Sequence, residues 1–512
     1  MNTDSKTNAA VGYKFDRRFH DRDALLVQMD SYAHPTNNPQ SIENEEKSNR
    51  EELPKELALN LREEVTVEGF LDPLRRRYAH QPVFLQAVEE MAKSVTPLFE
   101  DEVNGEFYKR AFLVMTEPER TISFRVLWQD DRGDMKCNRG WRVEFNSALG
   151  PFKGGLRFHP TVTEGVLKFL GFEQVFKNAL TGLPMGGAKG GSDFDPKGKS
   201  DGEIRRFCEA FMNELVKHIG GNTDIPAGDI GVGEREIGYL FGQYKKLSND
   251  NDGTLTGKPL ILGGSLLRPE ATGYGAVYMA QIAVEREGGT LKGKRCAVSG
   301  SGNVAQYAAK KLIDLGAKVI TMSDSNGTLV FKNGMTLEEW NTVVEIKQKK
   351  RGRLSSLKLC DQNTEYIANH SPWKLRDLKL DYAFPCATQN EINGTSMDRL
   401  IDNGLVGVFE GANLPTTLAG QKHLREKKIL YIPGKACNAG GVSVSGFEMS
   451  QNAMHLIWTN EEVDAKLKET MQAIYNQIDN VKEGGECTLE EGANRAGFLK
   501  VALAMKKLGW IW

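Results

Sequence analysis

The stretch KRCAVSGSGNVAQYAAKKLIDLGAKVITMSD, residues 294–324, decides the fold. Its first six residues are typical of a short buried strand, a helical pattern follows to Leu315, and residues 316–324 have the composition of a second strand. Gly300, Gly302 and Ala305 form a G-x-G-x-x-A turn between the first strand and the helix, and Asp324 ends the second strand. In this strand–turn–helix–strand context the glycine pattern predicts a Rossmann-type dinucleotide-binding domain.

Two later segments fit a parallel sheet in the same domain. Residues 381–386 and 407–410 are short and apolar, and they are followed by polar segments that contain Asn390 and Asn413. The carboxyl ends of parallel strands border the ligand crevice of such a domain. Asn390 and Asn413 are therefore predicted to contact the nicotinamide or a ribose.

A second glycine-rich stretch, residues 150–191, holds Lys153, Lys177 and Lys189. Lys153 stands in PFKGG and Lys189 in GGAKGG, and glycine allows a backbone to approach a ligand closely. For any single lysine the alternative is a buried position from which the amine reaches solvent. The three lysines together predict a pocket for a small dianion, most simply a dicarboxylate.

Between the two glycine clusters the sequence predicts a helix. Thr161 and Glu164 have the spacing of a capping box, and an apolar pattern continues to Leu180. Gln174 and Lys177 are three residues apart, so they share one side of this helix.

A carboxylate stands in the glycine-bounded segment NTDIPAGDIGVG, residues 222–233. Asp229 lies between Gly228 and an Ile-Gly pair, where an uncompensated charge is costly to desolvate. One interpretation is a proton-transferring group. The alternative is a cap for the helix predicted after Glu234, a role that Asp224 could also fill.

Composition limits the class of protein. A chain of 512 residues can form two or three domains, and 40% hydrophobic with 26% charged residues is ordinary for a globular protein. A net charge of −2 argues against binding to nucleic acid or membrane surfaces through bulk charge. No apolar run approaches the roughly 20 residues that span a bilayer.

Cysteine and histidine usage predicts neither disulfides nor a metal site. The seven cysteines are scattered, and none of the eight histidines forms a His-x-x-x-His pair. The N-terminus lacks an apolar signal core. The expected location is therefore the cytoplasm, with an organellar matrix as the alternative.

The predicted fold class is α/β with two domains and C-terminal helices that return to the first. Residues 1–55 are expected to be a polar extension and residues 56–262 a domain for substrate binding and oligomerisation. Residues 263–440 would form the Rossmann domain, after a hinge at Gly263–Ser265. Residues 441–512 would supply the C-terminal helices.

The residues leave the choice between NAD and NADP open. Asp324 at the end of the second Rossmann strand favours the ribose diol of NAD. Ser323 and Ser325 flank it, and a basic cluster follows, which could equally be a solvated helix end. The cluster comprises Lys347, Lys349, Lys350, Arg351 and Arg353.

Eight segments of the chain resemble the glutamate dehydrogenases, most closely their small hexameric, NADP-dependent type. The resemblance extends from about Leu57 to the C-terminus, and its motifs follow the family's order. The segments are NRGWRVEFNSALGPFKGGLRFHP, GFEQVFKNALTGLPMGGAKGGSDFDPKGKS, TDIPAGDIGVG, RPEATGYG, VSGSGNVAQYA, FPCATQNEI, EGANLPTT and NAGGVSVSGFEMSQNA.

The resemblance implies reversible oxidative deamination of L-glutamate to 2-oxoglutarate and ammonium by a homo-hexamer. Lys189 matches the family's catalytic lysine and Asp229 its proton-transferring aspartate. Lys153 and Ser445 would hold the γ-carboxylate and Lys177 the α-carboxylate. Gln174 and Gly228 would lie nearby. Related leucine and phenylalanine dehydrogenases carry an apolar residue in place of Lys153, so a γ-carboxylate is expected here.

The resemblance also favours NADP over NAD, because NADP-dependent members combine a Ser-Asp-Ser strand end with a lysine equivalent to Lys347. The expected cofactor contacts are Thr272, Gly300, Gly302, Asn303, Val304, Ser323, Asp324, Ser325, Lys347, Asn390 and Asn413. Two features depart from the family: the N-terminal extension, and Ala188 in place of a glycine before the catalytic lysine.

Two other functional classes were weighed against a dehydrogenase. A catalytically silent sensor of NADP and an amino acid would need no carboxylate at Asp229. A P-loop phosphotransferase fails because no serine or threonine directly follows Lys189 and the glycine spacing differs.

Overall fold

The computed structural model describes residues 67–357, 363–482 and 488–511, which form two α/β domains. The predicted extension, residues 1–55, lies outside the described residues. The helices are α1 Val67–Arg77, α2 Pro82–Val95, α3 Gly105–Met115, α4 Glu164–Leu180, α5 Asp201–Leu215, α6 Glu234–Ser248, α7 Ala271–Arg286, α8 Asn303–Asp314, α9 Leu337–Val344, α10 Gly394–Asp402, α11 Leu418–Glu426, α12 Gly434–Cys437, α13 Gly440–Met454, α14 Asn460–Lys482 and α15 Leu489–Lys507. The strands are β1 Arg120–Gln129, β2 Met135–Asn146, β3 Phe152–Phe158, β4 Gly187–Ser192, β5 Asp224–Gly228, β6 Arg295–Val298, β7 Lys318–Asp324, β8 Gly327–Phe331, β9 Thr364–Ala368, β10 Tyr382–Phe384, β11 Gly407–Phe409 and β12 Leu430–Ile432.

The first domain is built on a five-stranded sheet with the order β1-β2-β4-β3-β5. Strands β1 and β2 form an antiparallel hairpin. Strand β3, which carries Lys153, pairs in parallel with both β4 and β5. Strand β4 carries Lys189, and β5 leads into Asp229, so one sheet brings these three side chains towards a common edge.

Helix α4 begins two residues later than the capping-box spacing suggests. Its N-cap is Thr163, whose hydroxyl accepts a hydrogen bond from the backbone N–H of Val166, so the prediction for Thr161 is wrong. Thr161 instead lies beside His159, whose Nδ1 is 2.8 Å from the threonine hydroxyl. Helix α5 follows the rule, because Ser200 and Glu203 form a complete capping box.

The second domain is built on a seven-stranded sheet with the order β12-β11-β10-β6-β7-β8-β9. Strands β12, β11, β10, β6 and β7 are parallel, as the Rossmann prediction requires. Cys296 and Val298 of β6 pack into one apolar cluster, and Ala297 between them packs into another. Successive side chains of a strand point to opposite faces, so this sheet is buried on both sides.

Two antiparallel strands, β8 and β9, extend this sheet beyond β7. Strand β8 pairs with β7 and β9 pairs with β8, both antiparallel. The turn at Asn326 comes directly after Asp324 and Ser325, so the hairpin fixes the position of the predicted strand-end residues.

The C-terminal helices return to the first domain. The amide of Asn494 on α15 donates to the hydroxyl of Ser94 on α2 at 2.8 Å. The amine of Lys500 donates to the carbonyl of Ala179 on α4 at 3.0 Å. A side chain at Gly497 would lie 3.1 Å from Phe176, so the glycine permits α15 to pack closely on α4.

Candidate active site

A cavity of about 430 Å³ lies between the two sheets, within the usual size range for a small-molecule site. Residues from both domains line it. The predicted site residues in its lining are Lys153, Gln174, Lys177, Lys189, Gly228, Asp229, Thr272, Val304, Asn413 and Ser445. The structure therefore brings together residues that are as far apart in sequence as Lys153 and Ser445.

Lys153 lines the cavity from strand β3. Its side chain is buried, with 1% of the residue exposed, and its amine donates to the hydroxyl of Thr256 at 2.8 Å. Burial, together with the nearby charge of Arg142, lowers the pKa of this amine well below its usual value. A carboxylate that reached Lys153 would favour the charged form of this amine and would bind it at low solvent exposure.

A buried ion pair supports strand β3 beneath Lys153. The guanidinium of Arg142, on β2, donates to both carboxylate oxygens of Asp224 and to the carbonyl of Gly154 at 3.1 Å. Both side chains of the pair are fully buried. Asp224 therefore acts as a structural counter-ion on β5 and caps no helix.

Lys177 lies on α4 together with Gln174. Its amine donates to the side-chain oxygen of Asn413 at 3.0 Å. Burial and the charge of Lys189 lower the pKa of Lys177 to about 8. The amide of Gln174 donates to Asn178, which in turn donates to the carbonyl of Lys153 at 3.1 Å. These hydrogen bonds connect helix α4, which carries Lys177, to the backbone of Lys153.

Lys189 and Asp229 both line the cavity, and the Lys189 amine lies 3.4 Å from one carboxylate oxygen of Asp229. The guanidinium of Arg157 donates to the other oxygen at 2.7 Å. Burial alone would raise the pKa of Asp229, but the charges of Lys189 and Arg157 outweigh it and hold this pKa at about 2. The carboxylate is therefore ionised at neutral pH.

The pKa of Lys189 is lowered from its ordinary value, as a base near neutral pH requires. Burial is the largest cause, and Arg157 and Arg142 add to it, while Asp229 opposes it. From the sequence, desolvation on domain closure and crowding by Lys153 and Lys177 are the expected causes, and the charges of Lys177 and Lys189 do act on each other. The arginines were not expected; Arg157 lies on the same side of β3 as Lys153, four residues further along.

Ser445 reaches the cavity from α13 and is 2% exposed. Its hydroxyl accepts a hydrogen bond from the guanidinium of Arg268 at 3.1 Å. Arg268 also lines the cavity, and its charge is close enough to lower the pKa of Lys153. Arg268, Thr256 and Arg157 were missed by the sequence reasoning, although Arg157 has the even spacing from Lys153 that puts two strand residues on one face.

The turn of the Rossmann unit has the geometry that a pyrophosphate needs. Gly300 has φ +85, a conformation that favours glycine, and its N–H donates to the hydroxyl of Ser323 at 2.8 Å. Helix α8 starts at Asn303 after Gly302, which provides no side-chain cap, and a Cβ built on Gly302 meets no atom within 4 Å. Free N–H groups at an open helix N-terminus suit an anion.

The end of β7 fits a phosphate better than a ribose diol alone. The carboxylate of Asp324 already accepts backbone N–H groups of Asn326 at 2.9 Å and Leu354 at 2.8 Å. The hydroxyl of Ser325 accepts from the guanidinium of Arg353 at 2.7 Å, and Lys347 donates to the carbonyl of Gly352. A guanidinium, a hydroxyl and an amine thus lie near one strand end, which suits NADP.

The two predicted asparagines differ in position. Asn413 lines the cavity and bonds to Lys177 and Asn438. Asn390 has φ +57 and lies outside the cavity lining, which at this strand end is formed by Ala387, Thr388 and Gln389. Asn390 was predicted to contact the cofactor because it follows a strand end, but the chain leaves the cavity wall after Gln389, one residue earlier.

The described residues contain neither a candidate metal site nor a candidate membrane-spanning helix. Among the described residues, no group of three or more His, Cys, Asp or Glu side chains could hold a metal ion. No helix in the described ranges is both long and apolar enough to cross a membrane.

Comparison with known proteins identifies relatives along most of the chain. A family model described as Glutamate/Leucine/Phenylalanine/Valine dehydrogenase matches residues 263–509, and one described as Glu/Leu/Phe/Val dehydrogenase, dimerisation domain, matches residues 118–246. The NADP-specific glutamate dehydrogenase of Giardia intestinalis is 52% identical over 448 residues, which cover 87% of this chain and 99% of that protein. The NADP-specific glutamate dehydrogenase of Escherichia coli (strain K12) is 50% identical over 448 residues, with 87% and 99% covered.

The fold agrees with these sequence matches. The crystal structure of Plasmodium falciparum glutamate dehydrogenase superimposes with a TM-score of 0.84 at 49% identity, covering 86% of this chain and 94% of that chain. Both domain models match in the order in which the structure arranges its two sheets. The chain belongs to the Glutamate/Leucine/Phenylalanine/Valine dehydrogenase family.

Proposed function

We propose that this protein catalyses the reversible NADP-dependent oxidative deamination of L-glutamate to 2-oxoglutarate and ammonium. The observation that carries the proposal is one cavity lined by Lys153, Lys177 and the Lys189–Asp229 pair. Two buried amines with different neighbours provide for two carboxylates, and the ion pair provides for proton transfer. The NADP-specific glutamate dehydrogenases among the relatives support the same reaction.

Substrate positioning is the first task of these residues. Lys153 and Ser445 hold the γ-carboxylate, with Thr256 and Arg268 fixing the amine and the hydroxyl. Lys177 holds the α-carboxylate, and Gln174 and Gly228 border it. Holding both ends of the diacid places its Cα in one orientation, and such positioning can lower a barrier by about 7–11 kcal/mol.

Proton transfer is the second task. Asp229, ionised beside Lys189, accepts a proton from the substrate's ammonium group and returns it when the nitrogen leaves. Lys189, with its lowered pKa, takes a proton from the water that attacks the substrate's iminium carbon. NADP, when bound, accepts or supplies the hydride. The chain itself contributes orientation, charge and exclusion of water.

The cofactor is NADP rather than NAD in this proposal. Arg353, Ser325 and Lys347 would hold the 2′-phosphate, while the N-terminus of α8 would hold the pyrophosphate. Thr272 and Val304 border the cavity where the nicotinamide would lie. Replacing Arg353 by Ala is expected to raise KM for NADPH about tenfold, because a charge-assisted contact is lost, and to leave KM for NADH unchanged.

Initial rates of NADPH oxidation with ammonium test the substrate. We expect 2-oxoglutarate to be preferred over 4-methyl-2-oxopentanoate by at least about a hundredfold in kcat/KM, because the branched acid offers the buried Lys153 amine no carboxylate. Equal rates with the branched acid would instead indicate a dehydrogenase for another amino acid. Binding of NADPH without turnover of any oxo acid would indicate a silent sensor.

Assembly and location complete the proposal. A match to a dimerisation domain supports an oligomer, and the small glutamate dehydrogenase type points to a homo-hexamer. Light scattering should give six times the chain mass of 56.9 kDa. Free thiols at Cys208, Cys296, Cys386 and Cys437 support a reducing compartment, the cytoplasm or an organellar matrix.

A further inference from the structure

A small side chamber adjoins the main cavity. It has a volume of about 50 Å³ and shares with the main cavity a wall that includes Gln174, Lys177, Lys189 and Asn413. By the same measure the main cavity has about 430 Å³, so the side chamber is the smaller of the two and still has room for a particle the size of a water molecule.

A buried amide in the side chamber has an unused acceptor. Gln421 lines the chamber and is 5% exposed, and its Oε1 has no hydrogen-bond partner among the described residues. Its Nε2 lies 3.4 Å from the carbonyl of Thr416, which can only accept, so the amide nitrogen is assigned to that side. Buried polar atoms are normally paired. The oxygen of Gln421 therefore indicates a ligand that donates hydrogen bonds.

Carboxylates line the side chamber together with Lys177, Lys189 and Lys435. Glu90, Glu173 and Glu490 contribute to its lining. Glu173 is paired with Lys435 at 3.3 Å and Glu490 with Arg425 at 2.8 Å. Within the described residues Glu90 forms no ion pair of this kind, and its carboxylate accepts from the amide of Gln86 at 2.9 Å.

The carboxylates around Glu90 favour a cation there. Burial raises the pKa of Glu90, and the carboxylates of Glu173 and Glu490 raise it further, against the opposing effects of Gln86 and Lys435. A small cation bound here would relieve that repulsion. The dicarboxylate substrate, in contrast, would be repelled by the same groups.

We propose that the side chamber binds the ammonium ion and passes it to the shared wall beside Lys189, where Asp229 takes one of its protons, the nitrogen forms a bond to the oxo carbon and the oxo oxygen leaves as water. This inference rests on the proposed function, in which ammonium is a substrate. Ammonium has four N–H donors and no acceptor, and Gln421, Tyr431 and Glu90 offer it acceptor oxygens. The chamber gives the ion a route to the reacting carbon that bypasses the oxo acid and the cofactor in the main cavity.

Replacing Gln421 by Met tests the inference, because Met has a similar size and no amide oxygen. KM for ammonium should rise about tenfold, which corresponds to a loss of about 1.4 kcal/mol, while KM for 2-oxoglutarate and NADPH stays unchanged. Gln243→Met is the matched control, because that amide bonds to Asn213 at an exposed position and should change nothing. Glu90→Gln is a second variant, with a smaller rise in KM for ammonium alone.

Binding to the side chamber can be measured without turnover by using Rb⁺ as the probe, because its size and charge resemble those of ammonium. Crystals of the wild-type full chain grown with Rb⁺ should show an anomalous peak beside Gln421 Oε1, and Rb⁺ should compete with ammonium in initial rates. An unchanged KM for ammonium in both variants overturns the inference, as does the absence of the peak. A parallel rise in all three KM values also overturns it, because Gln421 would then only position its neighbours.

The wild-type control separates this inference from the proposed function. If the wild-type chain does not aminate 2-oxoglutarate at all, the proposed function fails. If it does, and the Gln421 and Glu90 variants keep the wild-type KM for ammonium, only the side-chamber inference fails.

Discussion

Lys189 and Asp229 have different tasks in the proposed reaction, although they form one ion pair. Asp229 has a pKa of about 2 because Lys189 and Arg157 outweigh its burial, so it is a carboxylate at neutral pH. Lys189 has a lowered pKa because it is buried among arginines, so its neutral form is more accessible than for a surface lysine. The pair thus keeps a proton acceptor and a tunable amine next to each other.

At the residue scale, Lys189→Ala should lower kcat by about 10²–10⁴-fold, the range that a lost acid–base group accounts for. Binding of NADPH, followed by its fluorescence, should be unchanged because Lys189 lies on the first domain. Lys168→Ala is the matched control, since that lysine pairs with Glu164 on α4 and does not line the cavity. Near-normal turnover of the Lys189 variant would remove the mechanism.

Binding of 2-oxoglutarate should take up protons above about pH 8. The pKa of Lys177 is about 8 in the free protein, and a bound carboxylate favours the charged amine and raises this pKa. Below that value Lys177 is already protonated and contributes no uptake, whereas above it binding supplies the proton that this amine lacks. Calorimetry in buffers of different ionisation enthalpy measures the number. Release of protons, or no exchange at about one unit above the pKa, would contradict the assigned role of Lys177.

The sequence indicated some of these residues and concealed others for a physical reason. Lys153, Lys189 and Asp229 stand out because each is a charge set among glycines within a few positions. Arg268 and Thr256 have no such local sequence pattern. Only the tertiary structure identifies them, because it places them next to Ser445 and Lys153. Desolvation of Lys189 could be predicted, but the effects of Arg157 and Arg142 on its pKa could not, since they depend on distances between β2, β3 and β4.

At the element scale, strands β2, β3 and β5 depend on the buried pair of Arg142 and Asp224. Arg142→Met should lower the free energy of unfolding by about 3–5 kcal/mol, because Asp224 is left buried without a counter-ion. Arg139→Met on the same strand is the control. Its side chain is 68% exposed beside Asp193, so the change should be below about 1 kcal/mol.

Urea unfolding of both variants measures these changes. The double variant Arg142→Met with Asp224→Leu should recover most of the stability, since no unpaired charge remains. If the Arg142 variant were as stable as the Arg139 variant, the ion pair would not be what supports β3 beneath Lys153.

Element boundaries show where local patterns suffice. The Rossmann strand–turn–helix–strand unit could be predicted because its glycine spacing and apolar runs agree with each other. The start of α4 could not, because Thr161 and Thr163 are both possible caps and only the backbone geometry selects Thr163. The antiparallel β7–β8 pair was not predicted, although Asn326-Gly327 is a turn sequence.

At the scale of the whole molecule, the cavity depends on how the domains are joined. The carboxylate of Glu448, on α13, pairs with Lys258 at 2.9 Å and accepts from the backbone of Gly257. Asn452 on the same helix donates to the carbonyl of Gly263, where the hinge was predicted. The helix that carries Ser445 is thus also fixed to the segment between the domains. The order of the domains could be predicted from motif order, but this connection depends on tertiary contacts.

The most direct measurement of the central claim is a crystal structure of the full chain with 2-oxoglutarate and NADP. The account predicts one carboxylate within about 2.7–3.2 Å of the Lys153 amine and the other at the same distance from the Lys177 amine, with the oxo carbon facing Lys189. A diacid bound outside the cavity, with these three amines making no contact to it, would contradict the account.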